Sequence, residues 1–196
     1  TTGMHNLVRL GSYASTDGQF GKWPRADKEL LNQFHEGLIV FTGCPSGAVQ
    51  TRLRLGQWDE AVAEAAELRD IFGAENFYVE VMDHGIDIER RTHQQVLEIA
   101  KLMNAPLVAT NDAHYVKRDD RKIQDALLCI NSGSRINDPD RFKFDGDGYY
   151  IRPSDEMRSL WSELPGACDS TLEIAERCDV HFTTTKEGAN YMPDFP

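Results

Sequence analysis

A chain of 196 residues with an ordinary apolar content of 40% is long enough for one domain, or one and a half, with a sizeable core. Its 32 acidic residues outnumber its 21 lysines and arginines, and the net charge of −11 argues against nucleic-acid binding through the chain's own overall field. No apolar run approaches the roughly 18–20 residues that span a bilayer, and no signal peptide is recognisable. The four cysteines form no C-x-x-C pair, which argues against a structural zinc knuckle. The length of the chain and the lack of a secretion signal favour reduced thiols in a cytoplasm, and the lack of a spanning run predicts no membrane partner.

The first predicted element begins at the first residues of the chain. A helix over about 2–16 is followed by a loop containing D-G-Q-F-G-K-W-P and by a second helix over about 26–36. The run G-L-I-V-F-T-G, residues 37–43, is typical of a fully buried strand, and helices are predicted near 47–55 and 58–72. Because the chain starts in helical pattern and without an initiating Met, we expect it to be a piece of a longer protein.

An alternation of strands and helices continues through the middle of the chain. F-Y-V-E-V-M, residues 77–82, predicts a strand, a helix is predicted over about 88–104, and P-L-V-A-T, residues 106–110, predicts the third strand. Strands and helices alternating at this spacing predict βα units and a parallel sheet. Three strands are few for such a sheet, since its open edges are costly. We therefore expect part of a barrel, with several strands missing from this chain.

The last third of the chain is predicted to be mostly helical. Its expected elements, in chain order, are a helix over about 117–130, a polar surface loop over 131–150, a short helix capped by Ser154, a helix over about 166–178, a strand over 179–184 and a linker over 188–196. We therefore divide the chain into a partial barrel, residues 1–130, and an extension, residues 131–196.

Polar side chains follow each predicted strand. Cys44 follows the first strand, Asp83 and His84 follow the second, and Asp112 and His114 follow the third. Sites in parallel α/β proteins form where strands end at their carboxyl termini. In an extended segment, residues i and i+2 point the same way, so the third strand presents a carboxylate and an imidazole to one point. A carboxylate and an imidazole are good ligands for zinc or manganese, and the thiolate of Cys44 would complete a set of sulfur, nitrogen and oxygen ligands.

Each of these residues also has a plainer interpretation. Cys44 alone is more often a small buried hydrophobe. Asp83 and His84 are more simply caps of the next helix, and Glu80 is either a paired core acid or a group behind the metal ligands. The K-R-D-D-R-K run, residues 117–122, is more simply a solvated helix face than a phosphate-contacting rim. Only the joint placement of a cysteine, an acid and a histidine at strand ends favours a metal site.

Four segments in the same order carry a resemblance to a known family. G-L-I-V-F-T-G-C-P-S-G, F-Y-V-E-V-M, P-L-V-A-T-N-D-A-H-Y and the closing Y-M-P-D-F-P resemble the polymerase and histidinol phosphatase (PHP) domain of bacterial replicative DNA polymerase III alpha subunits. The resemblance implies an α/β fold, part of a distorted (β/α)7 barrel with parallel strands and a mostly helical C-terminal extension that leads to the polymerase palm. It also implies up to three divalent metal ions, whose last ligands in chain order match Cys44, Asp112 and His114.

The activity implied by the resemblance is a metal-dependent 3′–5′ exonuclease that proofreads DNA synthesis, with Asp112 and His114 as its catalytic residues here. The implied partners are DNA, the rest of the alpha subunit with its missing N-terminal PHP strands and palm, and replisome subunits such as the sliding clamp. One departure is large, because the family's earlier ligands, beginning with a His-x-His pair, have no counterpart in this chain. The fragment alone is therefore expected to be inactive.

Three alternatives stay open beside the exonuclease. They are a PHP domain that stabilises the polymerase without chemistry, a free-standing PHP phosphatase acting on a small ester, and a generic metal-dependent barrel. The chain contains no serine nucleophile elbow, no Walker loop, no dinucleotide fingerprint and no basic patch with interleaved aromatics. The intact metal-ligand candidates favour the enzyme, and the Y-M-P-D-F-P boundary argues against the phosphatase. With unpaired strand edges, the isolated piece is expected to be marginally stable and to associate.

Overall fold

The computed structural model describes residues 1–188 and Met192. Most of the predicted linker over 188–196, and of the Y-M-P-D-F-P motif within it, therefore lies outside the described residues. The chain forms two compact units, one of residues 39–174 and one of residues 1–38 with the described residues from 175 onward. The division expected after residue 130 stays a prediction.

The smaller unit begins with helix α1, Thr2–Thr16, over the predicted span. The loop expected after it is instead a short antiparallel hairpin of β1, Gln19–Phe20, and β2, Trp23–Pro24. Gly21 occupies the first position of the two-residue turn with a positive φ of 60°. A positive φ at that position suits the type II′ turn, whose twist matches paired strands, and glycine adopts it without strain.

Two further predictions for the smaller unit are corrected. Helix α2 covers only Lys28–Gln33, because Phe34 leaves the helical backbone at φ −123° and ψ 22°. The side chain of Asp27 caps this helix by accepting a hydrogen bond from the backbone N–H of Leu30 at 2.8 Å. The strand predicted over 179–184 is wrong, since these residues are exposed and pair with no strand of the described chain.

The larger unit is built on a parallel sheet in the order β3, Val40–Phe41, β4, Phe77–Val81, and β5, Leu107–Ala109. The α/β class with parallel strands is therefore confirmed, whereas closure into a (β/α)7 barrel is not shown. The first of these strands was predicted to be long and fully buried, but its two residues are only half-buried. It lies at the edge of this three-stranded sheet and has one neighbour, which explains the difference.

One face of the sheet packs on three helices close to their predicted spans. They are α3, Ala48–Arg54, α4, Trp58–Phe72, and α5, Asp87–Met103. Their contacts with alternate residues of β4 form the core. The most buried members of this core are Val49, Ala61, Ala65, Phe77, Val79, Val81 and Ile99. The other residues of β4, Tyr78 and Glu80, alternate with these and so point to the opposite face.

The later elements of the chain are α6, Arg121–Ser132, α7, Ser154–Leu160, and α8, Pro165–Arg177. The cap expected from Ser154 is wrong, because Pro153 holds the N-cap position of α7 and no side chain caps it. The segment 131–150 is not wholly a surface loop, since residues 148–150 are buried. Within the described ranges, no helix is both long and apolar enough to cross a bilayer.

Helix α6 turns three of its apolar residues toward solvent and buries Cys129. Ile123, Leu127 and Ile130, spaced as one helical stripe, are 62%, 53% and 77% exposed. Its polar Asp125 instead lies half-buried and pairs with Arg141 at 2.5 Å. An apolar stripe of this kind on a free surface favours association.

We expect this stripe to drive self-association of the isolated chain. Replacing Ile123 and Leu127 with lysine is expected to lower the weight-average mass in sedimentation at high protein concentration. The same replacement at Leu55 and Leu172, which are 64% and 58% exposed elsewhere, is the matched control. Equal association of the two double variants, or a monomeric unchanged chain, would contradict the assignment.

Candidate active site

The carboxyl ends of the three parallel strands lie at one edge of the sheet, as expected. Thr42 continues β3 beside the central strand, and its backbone N–H donates to the carbonyl of Tyr78 at 3.2 Å. Thr110 continues β5 in the same way, donating its N–H to the carbonyl of Val81 at 3.1 Å. The segments that follow these threonines are therefore held on either side of the end of β4.

Asp112 and His114 converge after β5. His114 Nε2 lies 3.3 Å from Asp112 Oδ1, with the two side chains 35% and 41% exposed. The extended backbone assumed from sequence is not what joins them, because Asp112 has a φ of 41° in the left-handed region. Aspartate is among the few residues other than glycine that adopt this region readily, and such positions cluster at functional sites.

The position of His114 depends on the segment 131–150, which was predicted from sequence to be a polar surface loop. Its backbone N–H donates to the carbonyl of Tyr149 at 2.7 Å. Its ring lies 4.5 Å from the ring of Phe144 and meets Tyr149 edge-on at 6.0 Å, measured between centroids. A parallel bridge between Tyr115 and Tyr150 continues this pairing. Phe144, Tyr149 and Tyr150 are aromatic residues in this otherwise polar loop, and they were the sequence signal that part of it packs against the rest of the chain.

Tyr149 separates the exposed pair from a buried histidine. Its ring stacks on that of His84 with centroids 4.1 Å apart and 10° between the planes. Burial raises the pKa of Tyr149 to about 12, and the negative charges of Glu89 and Asp112 act in the same direction. The phenol is therefore neutral near pH 7 and adds no charge to the site.

His84 is a buried member of this network. Nδ1 lies 2.6 Å from Oε1 of Glu89 and Nε2 lies 2.9 Å from the backbone carbonyl of Asn111. Both ring nitrogens face acceptors, an arrangement that the protonated imidazolium satisfies. Burial lowers the pKa of His84, but the hydrogen bonds to Glu89 and to the carbonyl of Asn111 outweigh it, so that the pKa is raised.

The expectation that Asp83 and His84 cap helix α5 is wrong. Ile86 holds the N-cap position without a side-chain cap bond. Glu89 in the first turn instead reaches back and accepts the backbone N–H of His84 at 2.7 Å. The carboxylate of Asp83 accepts the N–H of Gly85 at 2.8 Å in a local turn. These two residues therefore support the loop rather than the helix terminus.

Asn111 connects the segment after β5 to the segment over 148–150. Its Nδ2 donates to the carbonyls of Gly148 at 2.9 Å and Tyr150 at 2.6 Å. Because its own carbonyl accepts from His84, one residue joins three parts of the chain directly before Asp112. This role could not be predicted from sequence, because no local pattern indicates which distant segment an asparagine side chain will contact.

Glu80 is buried at the centre of the strand ends. Its Oε1 accepts from the Thr110 hydroxyl at 2.6 Å, and its own backbone N–H donates to Thr42 Oγ1 at 3.0 Å. Burial raises the pKa of Glu80, the hydrogen bond from Thr110 and the nearby backbone of Gly43 partly offset this, and the charge of Asp112 adds to it.

Arg118 in the basic 117–122 run is engaged by neighbouring side chains. Its guanidinium donates to Asp147 at 3.1 Å, to the Tyr150 hydroxyl at 2.7 Å and to Glu156 at 3.3 Å. The Tyr150 hydroxyl donates in turn to Glu156. These contacts favour a structural role for Arg118 over the phosphate-contacting rim.

A cleft of about 460 Å³ lies elsewhere in this unit. Asp83, His93 and Trp161 are among its lining residues, whereas Asp112 and His114 are not. The converging pair lies outside this cleft, and its two side chains are partly exposed.

The arrangement fits part of a metal site. Two ligands of a tetrahedral zinc, each about 2.1 Å from the ion, lie about 3.4 Å apart. The 3.3 Å between Asp112 Oδ1 and His114 Nε2 matches this separation. Cys44 lies half-buried on the loop after β3. Across residues 1–188 and Met192, no three His, Cys, Asp or Glu side chains gather closely enough to hold an ion, so Cys44 as a ligand stays a prediction.

Comparisons with known proteins cover the whole chain. Residues 1–84 match the PHP domain family. The chain is 53% identical over 196 residues to DNA polymerase III subunit alpha of Mycobacterium tuberculosis (strain H37Rv) and 52% over 195 residues to that of Mycobacterium leprae. It is 35% identical over 200 residues to the subunit of Thermus aquaticus. These alignments cover 99–100% of this chain but only 16% of each relative. The resemblance to the PHP domain of DNA polymerase III alpha subunits is therefore confirmed.

Proposed function

We propose that this chain is part of a DNA polymerase III alpha subunit, here called the parent polymerase, and contributes to a metal-dependent 3′–5′ exonuclease that removes misincorporated nucleotides. The observation that carries the proposal is the convergence of Asp112 and His114 at the strand-end edge. The pair belongs to a chain that is similar along its full length to DNA polymerase III alpha subunits.

Asp112 and His114, with Cys44 from the neighbouring loop, would hold zinc or manganese, and the complete domain would hold up to three ions. Such ions lower the pKa of a water and neutralise charge on a phosphodiester. Asp112 is open enough for solvent and a phosphate to reach it. His114 is oriented by its backbone bond to Tyr149 and by the ring of Phe144. These contacts fix the imidazole before any ligand arrives.

The substrate in this proposal is the 3′ end of a DNA strand. A net charge of −11 gives the chain no field of its own to attract DNA, so the rest of the parent polymerase delivers the strand. The remaining PHP strands and the palm are then covalent partners, and replisome subunits such as the sliding clamp are external ones. Cytoplasmic placement follows from this role.

A PHP domain that supports the polymerase without chemistry is the second candidate. It is favoured by the lack, among the described residues, of a third side chain beside Asp112 and His114 to complete a metal site. The buried network of His84 and Glu89 also supports a stabilising role.

The test is hydrolysis of a mismatched primer-template by the full-length parent polymerase without nucleotides. We expect removal of metal by a chelator to abolish the release of 3′ nucleotides, and Mn²⁺ or Zn²⁺ to restore it. DNA synthesis by the same preparation, with Mg²⁺ supplied, shows that the protein is intact. If the polymerase is active but releases no nucleotides with any of these metals, the exonuclease proposal is wrong and the PHP domain has only the supporting role.

A further inference from the structure

The ring of Phe144, which packs against His114, is also part of a more exposed aromatic surface. Phe142 meets it edge-on with the ring centroids 5.6 Å apart, and Phe142 is 63% exposed. Lys143, between the two aromatic residues, is exposed as well. Two successive ring contacts, of 4.5 and 5.6 Å between centroids, therefore lead from the imidazole of His114 to an aromatic ring that is open to solvent.

Two basic side chains lie beside this aromatic surface. Lys143 and Arg121 line, together with Phe144, a small recess of about 40 Å³. Asp125 lines the same recess, but its two carboxylate oxygens accept from both terminal nitrogens of the Arg141 guanidinium, at 2.5 and 2.6 Å. Because this ion pair compensates the charge of Asp125, the positive charges of Lys143 and Arg121 are available to a phosphate.

Aromatic rings and cations on one surface are the groups that bind single-stranded nucleic acid without reading its sequence. Bases stack on the rings, and lysine or arginine binds the backbone phosphates. We propose that residues 142–144, here called the F-K-F segment, bind the 3′ end of a frayed DNA strand, with the terminal base stacked on Phe142 and the next phosphate of the strand bound by Lys143. The inference rests on the proposed function, in which the phosphate to be cleaved lies at Asp112 and His114.

This contact would select mismatched ends over paired ones. A paired 3′ base is stacked within the duplex and has to leave it before it can lie on Phe142, and leaving costs least for a mismatched base. An aromatic ring stacks with every base, so the selection is for an unpaired end and not for a particular sequence. Three residues are too short a run to indicate a nucleic-acid site in sequence, and it is their contact with His114 that points to this function.

The test measures nucleotide release from a mismatched primer-template by the full-length parent polymerase over a range of substrate concentrations. The variants are Phe142→Ala, Phe142→Trp and Lys143→Ala. The matched controls are Phe182→Ala and Lys101→Ala, because Phe182 is 66% exposed and Lys101 is an exposed lysine on α5. All four side chains that are changed are exposed, so the fold is expected to be retained in every variant.

We expect Phe142→Ala to raise the KM for the mismatched end about 5- to 150-fold, the usual effect of removing one stacking ring. The kcat is expected to stay within about threefold, because the reacting groups are unchanged. Phe142→Trp is expected to keep both constants within about threefold, since indole also stacks with bases. Lys143→Ala is expected to raise the KM and to lower the slope of its salt dependence by about one. An unchanged KM in Phe142→Ala would overturn the inference. So would equal losses in Phe142→Ala and Phe142→Trp, since these would assign the effect to packing and not to stacking.

Photochemical cross-linking separates failure of this inference from failure of the proposed function. A single-stranded oligonucleotide with 5-iodouracil at its 3′ end is bound to the parent polymerase with a chelator present, so that no hydrolysis occurs, and is irradiated. Mass spectrometry is expected to find the terminal base attached to Phe142 in the unchanged protein and in Phe182→Ala. If the unchanged protein hydrolyses no DNA, the proposed function fails, but an adduct at Phe142 would still support the F-K-F segment as a strand-end site. The absence of this adduct would overturn the inference in either case.

Discussion

Asp112→Asn is expected to reduce metal-dependent hydrolysis by the parent polymerase more than about 100-fold, beyond the loss typical for residues that only orient ligands. Asparagine has the same shape and tolerates the left-handed backbone at φ 41°, so the fold is retained. It lacks the negative charge that a divalent cation requires beside His114. The rate of nucleotide release from a mismatched 3′ end measures the effect, and DNA synthesis is expected to continue unchanged.

Asp119→Asn provides the matched control for this prediction. Asp119 lies on the exposed turn seven residues further along and loses the same charge. We expect it to hydrolyse DNA as fast as the unchanged protein. Hydrolysis at the unchanged rate in Asp112→Asn would show that the site assignment is wrong. Equal losses in both variants would assign the effect to surface charge.

Glu89→Ala is expected to lower the free energy of unfolding by about 3–5 kcal/mol, the usual cost of leaving one member of a buried ion pair alone. The side chains of His84 and Glu89 are only 1% and 6% exposed. Urea unfolding of the 196-residue chain measures the change. Asp87→Ala on the same helix breaks an exposed pair with Arg91 and is expected to cost less than about 1 kcal/mol. Similar losses in the two variants would contradict the buried-pair assignment.

The same pair predicts a pH dependence. The pKa of His84 in the folded chain is raised above its ordinary value of about 6.5. The stability that its protonation contributes is therefore fully present below that ordinary value and is lost as the pH rises through the raised folded pKa. We expect the difference in unfolding free energy between the unchanged chain and Glu89→Gln to be larger at pH 6 than at pH 9. A constant difference would show that protonation of His84 contributes nothing.

Local patterns predicted the parallel sheet because its signals are continuous in sequence. Five consecutive buried residues, Phe77–Val81, define the central strand. The helical apolar spacing of α5 forces a crossover, so the next strand runs parallel. From that order alone, Cys44, Asp112 and His114 could be placed at one edge of the sheet.

Contacts between distant segments could not be predicted in the same way. Tyr149 reaches His84 and His114 from a polar stretch without periodicity, and only the folded chain shows that its last residues are buried. The Glu89–His84 pair was missed because acidic residues are common in the first turn of a helix, where they interact favourably with the helix dipole. The position of Glu89 in sequence therefore gave no reason to expect a specific partner. The hairpin over 19–24 was missed because its strands have only two residues each.

The contrast between the half-exposed pair and the fixed backbone beside it predicts a kinetic consequence of the proposed function. Asp112 and His114 remain open to solvent, whereas Asn111 and Tyr149 fix the backbone on either side of them through hydrogen bonds to other segments. Within the described residues, no segment has to open before a phosphate approaches the pair, and the pair does not have to be assembled on arrival. Under the proposed function, we therefore expect turnover to depend on how often a frayed strand end is delivered and not on conformational gating within the chain.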